Sequence, residues 1–119
     1  MLELRGRTAV VTGSGRALGA GIAESLAAAG ADVITNSRST QSEAEQTARR
    51  CREFGVRAHA IAADVSTEDG VRELADFAMG TLGRIDILVN NVGASPTVPF
   101  LEISTAEWRR LMAINVDSM

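Results

Sequence analysis

The chain has 119 residues, 45% of them hydrophobic, with a formal net charge of −3 and one cysteine, Cys51. That length allows a single domain with a modest core, and the apolar fraction excludes an extended disordered chain. The absence of any basic block and the scarcity of aromatics, three Phe and one Trp, speak against a nucleic-acid or membrane surface, and a lone thiol excludes a disulfide framework or a cysteine metal cluster. No apolar leader opens the chain and no run reaches membrane-spanning length, so a cytoplasmic protein is expected. All twelve basic residues are Arg; Tyr and Lys do not occur.

Thr8–Val11 is a β-branched apolar run that breaks at Thr12-Gly13, and an Ala/Leu-rich amphipathic segment follows from about Leu18 to Ala29. A strand, a glycine turn and a helix in that order form a phosphate-binding device, because the helix N-terminus offers unpaired N–H groups and a partial positive charge. Gly13-x-Gly15 begins a dinucleotide fingerprint, but the third glycine would fall at Leu18, and Gly19 comes one step late. The same turn also reads as a plain helix opening.

Gly30 stops the first helix, and Ala31–Asn36 reads as a second strand. The turn Ser37–Thr40 leads to a polar helix, Gln41–Phe54, closed by Gly55; Cys51 lies in phase with Ala44 and Ala48 and is expected to be a buried thiol. A third strand, Val56–Ala62, carries His59 on the sheet surface and leads to Asp64-Val65. Ser66 is the expected N-cap of the next helix, with Asp69 at N3; Val71, Leu74, Ala75, Ala78 and Leu82 share its apolar face and Gly83 stops it. Ile85–Val89 is the most apolar strand and is expected to be covered on both faces. After the turn Asn90–Gly93 and the loop Ala94–Leu101, Ser104-x-x-Glu107 is a capping box that opens a helix running to the chain's last residue, with Trp108, Leu111, Met112, Asn115 and Met119 in phase. Four strands alternating with helices predict an α/β fold, a Rossmann-type doubly wound parallel sheet.

The end of the second strand selects among dinucleotides. An acidic side chain there accepts from the ribose hydroxyls of NAD, whereas Ser37 followed by Arg38 suits a 2′-phosphate, with Arg16 able to reach it from the glycine turn. NADP is therefore expected over NAD; the alternative is that both arginines are solvated loop charges. Asn115, an amide among apolar residues, needs a partner if buried, and a structural role at a helix kink is the alternative to a catalytic one.

Thr12-Gly13-x-x-x-Ala17-x-Gly19 resembles the TGxxxGxG turn of short-chain dehydrogenases/reductases, with Ala17 replacing the middle glycine. Asp64-Val65 resembles the pair that holds adenine in that family, and Asn90-Asn91-Val92-Gly93 resembles its NNAG motif, whose asparagines tie the fourth strand to the first turn and line the adenosine side. Ile114-Asn115-Val116 resembles the stretch whose asparagine completes the active site through a water and a proton relay. The resemblance, which includes 3-oxoacyl-carrier-protein reductase-like members, covers the N-terminal half of the family fold: four strands, with the last helix incomplete. It implies that residues 1–119 are an NADP-binding domain in which Thr12, Gly13, Gly15, Arg16, Ala17, Leu18, Gly19, Ser37, Arg38, Asp64, Val65, Asn90, Asn91, Val92 and Gly93 hold the cofactor and Asn115 is catalytic. No metal is implied. The implied substrate is a small carbonyl or alcohol, and the implied assembly is a homo-oligomer paired through the Trp108, Leu111 and Met112 face.

The family's catalytic Tyr-x-x-x-Lys and serine belong to the part of the fold that follows. These 119 residues alone are thus expected not to transfer hydride, and an unpaired sheet edge at Ile85–Val89 is expected to favour association. Two other readings remain open: a nucleotide-binding or dimerisation module that never catalyses, and a different doubly wound binding protein of flavodoxin-like type.

Overall fold

The computed structural model describes residues 3–119. Four strands, β1 (Thr8–Val11), β2 (Asp32–Ser37), β3 (Ala58–Ala62) and β4 (Ile87–Val89), form one sheet in the order β3-β2-β1-β4. Every neighbouring pair is parallel; Val10 lies opposite both Ile34 and Leu88, and Ile34 opposite His59. Helices α1 (Ala17–Ala28), α2 (Gln41–Arg52) and α3 (Glu68–Leu82) connect the strands, and α4 (Thr105–Met112) follows β4 after a 3₁₀ turn, Phe100–Glu102.

The two-residue period of the strands sorts the core into two layers. Val10 and Ile34 pack with Leu74, Ala78 and Leu82 of α3, whereas Val11 and Val33 pack with Ala23 and Ala27 of α1 and with Ala48 and Cys51 of α2. Helices therefore cover both faces, which makes the sheet doubly wound. The buried stripe of α1 is Gly19, Ala20, Ala23 and Ala27, small residues that let its backbone approach the sheet. Cys51 is fully buried, and that burial pushes its thiol up to about 11. His59 is half-buried on β3. No helix among the described residues is long and apolar enough to cross a membrane.

Several local expectations are corrected by the contacts the structure shows. β4 begins at Ile87 rather than Ile85 because the Asp86 carboxylate accepts from the Thr8 N–H at 2.8 Å, taking a donor that a strand carbonyl would use. Within the described residues β4 pairs only with β1 and stands at the sheet edge, with Leu88 57% exposed, so the expected cover on both faces is not there. The cap of α3 is Thr67, not Ser66: its Oγ1 accepts from the Gly70 N–H at 3.0 Å, which puts Gly70 instead of Asp69 at N3. The buried face of α3 is Gly70, Leu74, Ala78 and Leu82, and Val71 and Ala75 are exposed.

Only half of the capping box forms on α4. Ser104 Oγ accepts from the Glu107 N–H at 3.1 Å, but the Glu107 carboxylate takes Arg110 through Nε at 2.8 Å and Nη2 at 2.7 Å instead of reaching back. Beyond Met112 the helix widens into a π turn, Ala113–Asp117, in which Ser118 N–H donates to the Ala113 carbonyl at 3.1 Å. The helix ends there and does not continue through Met119. Leu111 is buried, while Trp108, Met112 and Met119 on the same apolar stripe are exposed.

Candidate functional site

The turn after β1 is stitched to both neighbouring strands. On the β2 side, Gly13 N–H donates to Asn36 Oδ1 at 3.1 Å and Ser14 N–H to the Asn36 carbonyl at 2.7 Å, while Ser14 Oγ accepts from Asn36 N–H at 2.9 Å. On the β4 side, Asn91 Nδ2 donates to the Gly13 carbonyl at 3.0 Å, and Asn91 N–H donates to Thr12 Oγ1 at 3.0 Å. Gly13 has φ +61°, which an L side chain rarely adopts, and a Cβ placed on Gly19 would overlap the Gly13 carbonyl oxygen. Glycine at 19 is thus what lets α1 start so close to the turn.

Ala17 holds φ +53° without being glycine, the strained position where the family turn carries its middle glycine. The N-cap of α1 is Arg16, whose side chain caps nothing, and no acidic residue occupies the first turn. The leading N–H groups of α1 therefore keep their positive potential for an anion arriving from the cleft.

That cleft, of about 610 Å³, opens at the carboxyl ends of the strands between the β1 and β4 turns. It lies where the strand order reverses, the switch point at which open α/β sheets bind ligands. The structure brings Gly13, Gly15, Arg16, Ala17, Leu18, Gly19, Ser37, Arg38, Asp64, Val65, Asn91, Val92 and Gly93 to its wall. Thr12 lies buried beneath it as a strut, with Oγ1 donating to the Val89 carbonyl at 3.3 Å. Asn90 is exposed and outside the lining, and of the two asparagines it is Asn91 that ties β4 to the first turn.

Asn115 also stands outside the lining, one layer back in the π turn. Its Oδ1 accepts from Ala94 N–H and its Nδ2 donates to the Ala94 carbonyl, both at 2.8 Å. The partner that a partly buried amide requires is therefore the backbone of the loop after β4, which this pair pins to α4.

At the β2 end of the cleft, Arg38 Nε lies 3.4 Å from Asp64 Oδ2. The other oxygen of Asp64 accepts from Ser66 N–H at 3.0 Å and from Ser66 Oγ at 2.6 Å. The Ser66 hydroxyl first, and Arg38 after it, hold the Asp64 carboxyl below the usual carboxylate range. Arg16 forms no ion pair among the described residues and lines the same cleft.

Several lining residues escape sequence reasoning, Asn36, Glu43 and Arg110 among them. Asn36 is buried and knits the site together: besides Gly13 it serves the carbonyls of Ile61 at 3.2 Å and Ala63 at 3.1 Å. Its signal in the sequence is an amide near the end of a strand whose centre, Val33-Ile34, is apolar. Arg110 reaches the lining from α4, held by Glu107 one turn earlier; the Glu107-x-x-Arg110 spacing marks an ion pair but not the cleft it borders. No group of three or more His, Cys, Asp or Glu among the described residues is placed to hold a metal ion.

The cleft thus presents the N-terminus of α1 on one side and, beyond β2, a polar end in which Arg16 and Arg38 lie with the carboxylates of Glu43 and Asp64. The chain is 44% identical over 116 residues to an uncharacterised oxidoreductase of Mycobacterium tuberculosis, covering 98% of this chain and 44% of that protein. It is 41% identical over 114 residues to 3β-hydroxysteroid dehydrogenase 1 of Eggerthella lenta, covering 96% of this chain and 44% of the relative. The crystal structure of a hydroxysteroid dehydrogenase from Escherichia coli superposes with a TM-score of 0.90 at 36% identity, over 98% of this chain and 48% of the other. The chain thus spans a little under half the length of these relatives. Residues 7–119 match the short-chain dehydrogenase family model, and with the parallel sheet, the Thr12–Gly19 turn and the Asn91 tie in place, the chain belongs to the short-chain dehydrogenase family.

Proposed function

We propose that residues 1–119 are the cofactor-binding domain of an NADP(H)-dependent oxidoreductase that moves a hydride to or from a small carbonyl or alcohol substrate. The observation that carries the cofactor choice is the end of β2: Ser37 occupies the position where a carboxylate would accept the ribose of NAD, and Arg38 and Arg16 line the cleft beside it. A 2′-phosphate there gains guanidinium partners and meets no carboxylate at Ser37.

In this reading the N–H groups at the start of α1 and the Gly13–Gly19 turn hold the pyrophosphate, while Asp64 and Val65 take the adenine. Asn91, Val92 and Gly93 line the adenosine side, with Thr12 and Asn90 shaping the two turns from outside the wall. The nicotinamide, when bound, supplies or accepts the hydride. Asn115, through Ala94, positions the loop that borders the reacting end, and this is the part it takes in the active site. Hydride transfer also needs an acid to protonate the developing alkoxide, and these 119 residues contain no Tyr or Lys to do so. By themselves they bind cofactor without turnover. The exposed Trp108 and Met112 on α4 support pairing with a second copy, which sedimentation velocity reads directly.

Isothermal titration of the purified chain with NADPH, NADH and FMN tests the reading. NADPH is expected to bind at least about tenfold tighter than NADH, since a charge-assisted contact to phosphate contributes on the order of 1.5–3 kcal/mol, and FMN is expected not to bind. Equal affinities would overturn the NADP assignment, and no binding of either dinucleotide would overturn the function.

A further inference from the structure

Among the described residues β3 pairs with β2 alone and stands at the sheet edge. Val33 N–H donates to the Arg57 carbonyl and Ala63 N–H to the Ser37 carbonyl, so the backbone groups of Ala58, Ala60 and Ala62 turn outward. Such an edge is a template for another strand, and proteins blunt it with charge, proline or a bulge. The strand AHAIA has no proline and no acidic or Arg side chain, and its register runs unbroken from Ala58 opposite Val33 to Ala62 opposite Ser37. Its outward groups are met by α2 instead. Gln41 Nε2 donates to the Ala60 carbonyl at 3.0 Å, and Gln41 Oε1 accepts from the Ala62 N–H at 2.8 Å. In a parallel ladder a residue of the adjoining strand makes this same pair of bonds to the residues flanking its opposite number. The Gln41 amide therefore takes the place of a strand residue opposite Ile61. At the other end of the strand, Arg52 Nη1 donates to the Ala58 carbonyl at 2.7 Å while its Nη2 is held by Glu45.

We propose that Gln41 and Arg52 stand in for a neighbouring strand and close the β3 edge to strand addition by a second copy of this chain. An N–H has one hydrogen to give, so a copy that used Ala62 has to displace the Gln41 amide. The amide also lies in the plane of the ladder, within the roughly 4.8 Å at which a further strand would run. Gln41 and Arg52 are the first and last residues of α2 and lie outside the cleft lining, so the closure works whether or not the cleft is filled. A tie that served only to dock α2 on the sheet would add stability and leave the oligomeric state alone. Closure of the edge changes association, and the two roles are separable by measurement.

Residue-resolved hydrogen exchange of the unaltered chain at low concentration is the first test. Ala62 N–H is expected to exchange about fivefold to tenfold more slowly than the outward Ala60 N–H, the ratio that one hydrogen bond gives. Equal rates overturn the proposal before any substitution is made. The second test is sedimentation velocity of the Gln41→Ala, Arg52→Gln double variant, which is expected to self-associate at about tenfold lower concentration than the unaltered chain. In that associated form the Ala58 and Ala60 N–H groups are expected to become protected. An unchanged oligomeric state overturns the closure, and so does association that leaves those two amides exchanging freely, because it then runs through another surface. Gln41→Glu keeps an acceptor for Ala62 N–H and sets a charge at the edge, so it is expected to remain at the unaltered oligomeric state. Association of Gln41→Glu equal to that of the double variant would refute the idea. Thermal melts identify a double variant that fails to fold, and the exchange ratio and Gln41→Glu then decide the question.

Discussion

The inner strand β2 and the edge strand β4 reach opposite outcomes, although the β4 stretch is the more apolar of the two. At β2, Val33 and Ile34 are fully buried between helices. At β4, the run IDILV leaves Leu88 57% exposed, with Ile87 and Val89 half-buried, and the following helix exposes Trp108 and Met112. Hydropathy is a property of the side chain, whereas burial is a property of having a neighbour on each side. β2 has β1 and β3 beside it and helices above and below; β4 has β1 alone among the described residues. The lesson carries to the turns. The β1 turn is held from both flanks by Asn36 and Asn91, whereas the loop after β4 is held at Ala94 by the single side chain of Asn115.

The sharpest test of that contrast pairs one substitution in each strand. Ile34→Ala is expected to destabilise the chain by about 3 kcal/mol, because it empties a fully enclosed site. Leu88→Ser, at the open edge, is expected to change stability by less than about 0.5 kcal/mol and to lower self-association. Urea unfolding and sedimentation velocity read the two effects. Similar destabilisation by both would show that β4 is covered in solution, most simply by a second copy.

A second pair compares the turns. Gly19→Ala drives a methyl into the Gly13 carbonyl and is expected to cost about 1–3 kcal/mol and to abolish dinucleotide binding. Gly93→Ala meets only the Asn115 side-chain oxygen at 3.2 Å, which yields by a few tenths of an ångström, so its cost is expected to stay below about 1 kcal/mol. Equal losses would mean that the β4 loop is as tightly held as the β1 turn. The smallest effect is a gain: Ala17→Gly relieves a left-handed backbone and is expected to stabilise by about 0.5–1 kcal/mol, the strain relieved less the entropy that glycine adds to the unfolded chain. A loss of stability on that substitution would refute the reading of Ala17 as strained.

Much of the site was legible because it is written in local chemistry. Gly13 and Gly19 announce a turn that needs glycine, and Ser37-Arg38 places a hydroxyl and a guanidinium at the end of β2. Of the residues that escaped, Asn36 and Arg110 do their work through distant partners. Asn36 is 23 residues from the Gly13 it anchors, and Arg110 enters the cleft wall because α4 lies along it. The N-cap of α3 falls one residue later for a local reason: Ser66 is as good a cap as Thr67, but Asp64, just before it, claims its hydroxyl.

By itself the sequence determined the element order, the parallel α/β class, the glycine turn after β1 and the absence of Tyr and Lys, since each depends on residue type and spacing along one stretch of chain. The tertiary structure alone decided that Asn91 and not Asn90 ties the turns, that Arg38 rests on Asp64, and that Asn115 holds Ala94 from within a π turn. Those choices turn on distances between segments remote in the chain, set by how strands align and helices lie across them.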